Sequence, residues 1–480
     1  MNESEVSRRA LSGLRWTATL RVLGQLINWT ITLVVVRYIH PAEYGLKSMA
    51  DVAIGLVMVF STSGMEASII QVKELTQDKL ARIFGLLLTI NAGLFALLLA
   101  GAYPLASYYG EPRIVDLLHV MAFGFLLVPF NAIPSALASR NLDYRLLSTV
   151  SLSTNVAGAL CTLWMALTGH GVWALVAGPL LSTTLNAVIL NLRERALLWP
   201  QFSLEGIHDM ARFGGTVLLS ALLWVVFSRA DIFIAGRVLS PTEVGLYAVA
   251  IHWAALPIDK IMPLLNQVAY PAYARLRDNP EALQRHFQRA MRVTSLVLFP
   301  ASFGFAAIAH RAIPLILGEQ WAPAAALLLV LGLVFPFRGV NMLFAPMNNA
   351  LGRPQIQLKL NIASTLFMVP GFLVGAHYGV MGLTLAWAVV YPWVLVNNSV
   401  ASLRLIGLSP LAGLRAISVP LLMAALMFAL LQALHLAAVE VVNPAVTLAL
   451  FIALGAVVYA GGMYLMARER LTEAVALLRR

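Results

Sequence analysis

The chain has 480 residues, of which 60% are hydrophobic and only 11% are charged. An average soluble domain carries about 25% charged residues, so this chain has too little polar surface to cover a soluble globule of its size. The composition excludes an ordinary cytosolic enzyme, a secreted disulfide scaffold and a disordered chain, and it indicates a protein whose main solvent is lipid. The single cysteine, Cys161, leaves no intramolecular disulfide to form.

Apolar runs that are long enough to cross a bilayer follow one another along the whole chain. A spanning helix needs about 20 mostly apolar residues, and this filter gives about fourteen candidates. Such runs are much longer than the roughly 9–11 residues of barrel strands, so we predict an all-α polytopic membrane protein. The candidates lie at about 13–38, 45–70, 83–108, 115–138, 146–168, 171–192, 213–237, 244–270, 291–317, 322–347, 358–376, 380–403, 413–436 and 444–467.

The chain carries 33 basic and 22 acidic residues, for a formal net charge of +11. In a soluble protein this balance would indicate nucleic acid, but here the basic residues concentrate in every second connecting segment. The positive-inside rule then places those segments and both termini in the cytoplasm, and no nucleic-acid partner is expected. We also expect the basic segment Arg275–Arg292 to form a separate helix on the membrane surface.

An internal repeat indicates how the helices are grouped. The segments VVVRYIHPAEYGLKSMA (34–50) and IAGRVLSPTEVGLYAVA (234–250) align without gaps at an offset of 200. Weaker correspondences pair Gly171-Val172 with Gly379-Val380, and Arg140 with Arg353. Chance recurrence of a Pro-x-Glu-x-Gly turn is the alternative explanation. The identities are Arg37/Arg237, Pro41/Pro241, Glu43/Glu243, Gly45/Gly245, Leu46/Leu246 and Ala50/Ala250.

The repeat predicts two pseudo-symmetric six-helix lobes that insert into the membrane in the same direction, a plan common among transporters. The first lobe covers 1–192 and the second covers 213–403. A cytoplasmic linker at 193–212 joins them, and two extra helices with a cytoplasmic tail occupy 404–480.

Four segments resemble the bacterial polysaccharide flippases of the Wzx type, a family of the multidrug/oligosaccharidyl-lipid/polysaccharide exporter superfamily. The Gly-Glu-x-Trp sequence at 318–321 is the most family-like signature, and the resemblance covers essentially the whole chain. The segments are RVLSPTEVGLYAVA (237–250), YPAYARLRDNPEAL (270–283), ILGEQWAPAAALL (316–328) and NNALGRPQIQLKL (348–360).

The resemblance implies that the protein is not an enzyme. It implies a flippase that moves undecaprenyl-pyrophosphate-linked oligosaccharide to the periplasmic leaflet of the bacterial inner membrane by alternating access. Its partners would be that substrate, membrane lipid, and the polymerase and chain-length regulator of the same pathway. A drug/cation antiporter and a peptidoglycan-precursor flippase of the same superfamily remain alternatives. A membrane polysaccharide polymerase or ligase is a remote one, because the outer loops are short.

Polar stripes on the apolar helices indicate where a polar headgroup could be sheltered. On the first span, Arg21, Gln25 and Asn28 share one helical face. Arginine forms bidentate hydrogen bonds with phosphate, and charges inside a bilayer are functional candidates by default. We therefore assign a pyrophosphate and sugar cavity to Arg21, Gln25, Asn28, Arg338, Asn341 and Arg229.

Acidic residues inside the spans have two interpretations. Glu66, Asp231 and Asp259, the last with Lys260 beside it, could bind a coupling cation, H⁺ or Na⁺, or could pair structurally with the buried cations. The chain has no GxxxxGK[ST], HExxH or CxxC sequence. We therefore expect no nucleotide hydrolysis by a P-loop, no metal site, no cofactor and no catalytic residues.

Overall fold

The computed structural model describes residues 20, 23–61, 69, 75–194, 198–203, 208–437 and 443–478, without the side chains of 208–221 and 467–478. The chain in these ranges folds into helices. In order they are α1 (23–38), α2 (Pro41–Ser61), α3 (Gln77–Tyr109), α4 (Arg113–Arg140), α5 (Tyr144–Leu167), α6 (Val172–Glu194), α7 (His208–Val238), α8 (Pro241–Leu276), α9 (Pro280–Leu317), α10 (Ala324–Asn341), α11 (Phe344–Ala350), α12 (Pro354–Ala376), α13 (Gly379–Leu405), α14 (Pro410–Leu436) and α15 (Pro444–Leu478).

The prediction of an all-α polytopic membrane protein is confirmed. Twelve spans in the described ranges are long and apolar enough to cross a membrane, with α10 and α11 together counting as one. Helices α1 and α7 lie at the two further predicted positions. Large apolar side chains point away from the helix contacts: Leu366 is 69% exposed and Trp393 is 70% exposed, as expected for surfaces that face lipid tails.

Helix starts follow local sequence chemistry. The side chains of Thr76, Asp143, Asn279 and Ser409 each accept a hydrogen bond from a backbone N–H in the first turn of α3, α5, α9 and α14. Such N-caps satisfy donors that have no partner inside the helix. In α9 and α14, proline follows the cap in the first turn, where its missing N–H costs no hydrogen bond.

The prediction of a separate surface helix at Arg275–Arg292 is wrong. The chain turns just after Leu276, and α9 then runs without a break from Pro280 to Leu317 over 38 residues. A helix of this length extends about 57 Å, much more than the roughly 30 Å of a bilayer core. Arg285, Arg289 and Arg292 therefore lie on the first turns of a spanning helix, whose first internal proline is Pro300, whereas Arg275 lies in the last turn of α8.

The chain divides into two compact units, residues 1–245 and 246–480. In the second unit, Trp321 of the Gly-Glu-x-Trp signature is fully buried, and Trp387 packs against the rings of Phe335 and Phe372. The lobe boundaries drawn from the repeat at 192, 212 and 403 stay a prediction.

The two copies of the repeated motif have the same local structure. Helices α1 and α7 end at residues 38 and 238, and α2 and α8 begin at Pro41 and Pro241. Within the first unit the copies also touch. A Cβ atom at Gly45 would overlap the carbonyl oxygen of Pro241, and one at Gly245 would overlap that of Pro41. The motif therefore contains glycine because each copy packs against the backbone of the other.

The glutamates of the two copies have different partners. Glu243 accepts hydrogen bonds from the backbone N–H and the hydroxyl of Ser240, which caps its own helix. Glu43 instead reaches another helix, because its Oε2 accepts the backbone N–H of Val172 at 2.8 Å, the first residue of α6. Residue 40 is histidine, so a hydroxyl equivalent to that of Ser240 is missing in the first copy.

An arginine links Glu43 to a second carboxylate. Arg113 lies 3.6 Å from Glu43 and donates from Nε to Glu111 at 2.9 Å. The hydrogen bond from Arg113 holds the pKa of the Glu111 carboxyl below its usual range. A lowered folded-state pKa means that this contribution to stability is present at neutral pH and is lost as the pH falls through that value.

The glycine contact makes a prediction about stability. We expect Gly45→Ala to lower the free energy of unfolding by about 1–3 kcal/mol, because the methyl group would force α2 and α8 apart. Gly93→Ala is the matched control, since a Cβ there has no neighbour within 4 Å. Thermal unfolding of the full chain in detergent measures both. A Gly45→Ala melting temperature equal to that of Gly93→Ala would contradict the contact.

The capping role of Glu43 makes a second prediction. Glu43→Ala should destabilise the protein by about 0.5–2 kcal/mol, because the first N–H of α6 loses its acceptor. Glu281→Ala is the control, since its ion pair with Arg285 is highly exposed and should contribute less than about 1 kcal/mol. Chemical unfolding of both variants compares them, and equal losses would refute the capping role.

Candidate functional site

A cavity of about 640 Å³ lies within the first unit, between helices α1, α4, α5 and α6. Two residues of the predicted substrate site, Gln25 and Asn28, contribute to its wall from α1. Both residues belong to the polar face that the sequence predicts for the first span, and this face borders the cavity.

Uncharged polar groups dominate the wall. Besides Gln25 and Asn28, the amides of Asn155 and Asn186 line the cavity. Hydroxyl groups come from Tyr144 and from four serines. No charged side chain belongs to the wall as far as the structure describes it. The serines are Ser135, Ser139, Ser148 and Ser151.

Close packing holds the α1 face against α5. A Cβ at Gly24 would lie 2.8 Å from Leu152, so the small residue allows the two helices to approach. On α5, Asn155 donates to the hydroxyl of Ser151 at 3.1 Å and accepts from Ser182 of α6 at 3.2 Å. These bonds fix the Asn155 amide at the wall. Within the described chain, no hydrogen bond engages the amides of Asn28 and Asn186.

Sequence reasoning missed the contribution of α5. Tyr144, Ser148, Ser151 and Asn155 recur at steps of four, three and four, which places them on one helical face. The polar periodicity that predicts a cavity face on the first span also holds for residues 144–155, and it identifies this second polar face.

Arg338 and Asn341 lie in the second unit, on the last turns of α10. The half-buried guanidinium of Arg338 lies over the rings of Phe335 and Trp387, 5.3 and 5.4 Å from their centroids. Asn341 accepts a hydrogen bond from Asn398 of α13 at 3.2 Å. Aromatic faces stabilise a cation electrostatically without removing its charge.

The charged residues in the spans of the first unit contact neighbouring groups of the protein. Half-buried Arg229 lies between α7 and α2, with Nε 3.8 Å from the position of a Cβ at Gly55. Asp231 is 2% exposed and accepts the N–H of Ile232 at 2.8 Å. Asp51 of α2 forms an ion pair with Lys47 at 2.6 Å.

The remaining candidates divide into two groups. Asp259 and Lys260 of α8 are both exposed in the second unit. Arg21 and Glu66 fall outside the described residues. Within the described residues, no three His, Cys, Asp or Glu side chains come together as a metal site.

The described wall of the cavity therefore offers hydrogen-bond donors and acceptors to a polar molecule. Amides present both an N–H donor and a carbonyl acceptor, and hydroxyls do the same with one atom. In a protein that crosses a membrane, such a wall shelters a solute that lipid would exclude.

Comparisons with known proteins place the chain in a family. Residues 34–326 match the model of the family described as polysaccharide biosynthesis protein. The lipopolysaccharide biosynthesis protein WzxC of Escherichia coli K12 is 25% identical over 392 residues, which are 80% of this chain and 78% of that protein. The succinoglycan biosynthesis transport protein ExoT of Rhizobium meliloti is 24% identical over 435 residues, which are 89% of this chain and 87% of that protein.

The fold is also similar to a solved structure. The lipid II flippase MurJ in an inward closed conformation superposes with a TM-score of 0.75, covering 95% of this chain and 99% of that one at 12% identity. At this identity the likeness concerns the fold alone. The family model covers more than half of the sequence, and the chain belongs to the polysaccharide biosynthesis protein family.

Proposed function

We propose that this protein flips undecaprenyl-pyrophosphate-linked oligosaccharide repeat units from the cytoplasmic to the periplasmic leaflet. The observation that carries the proposal is a cavity with a polar described wall, bordered by membrane-crossing helices, in a chain of a polysaccharide biosynthesis family. A lipid-linked glycan needs such a shelter for its sugars, while its polyprenyl tail stays in the bilayer. The polymer it serves is an exopolysaccharide, a capsule or an O-antigen.

Transport rather than catalysis fits the rest of the chain. The matched relative from Rhizobium is named a transport protein, and the described helices are joined by short connections. We place the protein in the bacterial inner membrane with both termini in the cytoplasm, from the basic connecting segments. The polymerase and the chain-length regulator of the pathway are its proposed protein partners.

The drug/cation antiporter and the peptidoglycan-precursor flippase have no specific observation in their favour. The similarity to a lipid II flippase concerns the fold, whereas the family match concerns polysaccharide biosynthesis. Alternating access between two lobes is the mechanism we propose, supported by the structurally repeated motif at 38–45 and 238–245.

Reconstitution tests the proposed activity directly. In proteoliposomes that contain the full chain, an undecaprenyl-pyrophosphate-linked trisaccharide of neutral hexoses should become accessible to an external glycosidase faster than in protein-free vesicles. Lipid II serves as the competing substrate. Faster movement of lipid II than of the hexose probe would favour the peptidoglycan-precursor alternative, and movement of neither would overturn the proposal.

The pyrophosphate is assigned to the arginines Arg21 and Arg338, with Arg229 as a further candidate. Support comes from Arg338, whose cation is held against aromatic rings. We propose that the coupling ion, H⁺ or Na⁺, uses Glu66, Asp231 or Asp259 with Lys260, and that no other cofactor is required.

Removing these guanidinium groups should slow flipping. We expect Arg338→Ala and Arg21→Ala each to lower the initial rate at least about tenfold, because a charge-assisted hydrogen bond to phosphate contributes about 1.5–3 kcal/mol. Arg285→Ala, a change of an exposed arginine, is the control and should leave the rate unchanged. Wild-type rates in both of these arginine variants at normal expression would remove the two arginines from the proposed pyrophosphate site.

A further inference from the structure

The guanidinium of Arg338 lies over two aromatic rings that belong to different helices of the second unit. Phe335 precedes it by three residues on α10, so this ring moves together with the arginine. Trp387 lies on α13, and the centre of its ring is 5.4 Å from the guanidinium carbon. Of the two rings, it is therefore Trp387 that relates the position of the cation to a second helix.

Trp387 is itself fixed on several sides. It is 1% exposed, and its ring centre is 5.4, 5.3 and 5.7 Å from those of Phe335, Phe372 and Tyr391. The indole N–H donates to the hydroxyl of Tyr247 on α8 at 2.9 Å. A buried indole is a donor only, and it needs such an acceptor. Residues of α8, α10 and α12 thus hold this ring of α13 in one orientation.

A hydrogen bond joins α10 and α13 one turn further along. Asn398 of α13 donates to Asn341 of α10 at 3.2 Å, and Asn341 follows Arg338 by three residues. The turn of α10 that carries the arginine is therefore tied to α13 by a polar contact as well as by the Trp387 ring.

A fixed arginine binds a phosphate group at a lower entropic cost than a mobile one. The side chain has several rotatable bonds, and ordering them at the moment of binding reduces affinity. An aromatic face attracts the cation and restricts these bonds before the ligand arrives, and tryptophan provides the strongest attraction of the aromatic residues. Preorganisation of this kind is what a bidentate contact to phosphate requires.

We infer that Trp387 is a positioning residue for the pyrophosphate group: it holds the Arg338 guanidinium in place, and Tyr247 holds Trp387. The inference rests on the proposed flippase function and on the assignment of Arg338 to the pyrophosphate, and it adds a residue that acts through the arginine. Tyr247 belongs to the second copy of the repeated motif, and the first copy has Lys47 at this position, without a hydroxyl.

A double-mutant cycle tests the positioning role. In proteoliposomes that contain the undecaprenyl-pyrophosphate-linked trisaccharide of neutral hexoses, Trp387→Leu should lower the initial flipping rate about fivefold. In an Arg338→Ala background the same change should lower the residual rate less than about twofold, because no guanidinium is left to position. Equal fold losses in the two backgrounds would show that Trp387 supports the fold alone, and would overturn the inference.

Trp321→Leu is the matched control. Trp321 is also fully buried in the second unit, but it precedes α10, which starts at Ala324, and the rise from there to Arg338 is about 20 Å. Any loss of rate that this variant causes should be the same in both backgrounds. The cycle therefore separates loss of a buried indole in general from loss of the indole that faces the arginine.

Conservative variants keep the test decisive if leucine at position 387 prevents folding. Trp387→Phe retains an aromatic face and should keep at least about half of the wild-type rate. Tyr247→Phe removes only the hydroxyl that accepts the indole N–H, and it should slow flipping about threefold in the wild-type background. The same threefold loss in the Arg338→Ala background would overturn the inference, as would a Trp387→Phe rate as low as that of Arg338→Ala.

The failure of the inference and that of the proposed function have different signatures. Absence of flipping by the wild-type protein would overturn the proposed function and the positioning role together. A wild-type rate in Arg338→Ala would overturn the assignment of this arginine and the positioning role, while the flippase function would stand.

Discussion

The absence of water from the bilayer core is the constraint on which this structure depends. Backbone N–H and C=O groups that find no water must bond to each other, and long helices achieve this within each span. The same constraint turns polar side chains away from the lipid. Such side chains lie against another polar group, as with Asn91 and Ser61, or around a cavity, as with Asn28 and Asn186.

The transmembrane helices were predictable from the sequence because their length and hydropathy are set by the bilayer rather than by tertiary contacts. The positions of the turns after residues 38 and 238 followed from the repeat at an offset of 200. Helix ends outside the hydrocarbon were less predictable, because there capping decides. The start of α9 at Pro280 depends on the Asn279 cap, and hydropathy alone placed this span about three turns later.

The candidate site was predictable in part. Polar periodicity on the first span led to Gln25 and Asn28, and the same rule applied to α5 would have led to Ser151 and Asn155. What periodicity could not give is which faces meet, since the hydrogen bond from Ser182 to Asn155 joins residues 27 positions apart. Nor does hydropathy show that the cation of Arg338 stacks on Trp387, because the two are far apart in sequence.

The ion-pair partners of the charged residues in the spans could not be predicted from the numbers of cations and acids. The predicted spans contain four cations (Arg21, Arg229, Lys260 and Arg338) and four acids (Asp51, Glu66, Asp231 and Asp259), which favours mutual pairing, yet Asp51 pairs with Lys47 one turn earlier in its own helix. A local partner four residues away is always within reach, whereas a distant one requires two helices to pack in the right register. Counting charges therefore indicates that compensation is needed and leaves its partner undetermined.

Gly45 packs against the carbonyl group of Pro241, and Gly245 packs against that of Pro41, so each copy of the motif limits the size of one residue in the other. A larger residue in one copy cannot be accommodated by a change in the same copy, since the obstruction is main chain of the other copy. Replacing either glycine therefore requires a shift of the other copy's backbone. The two glycines are thus coupled through space, whereas the nearby residues 40 and 240 differ between the copies, as histidine and serine.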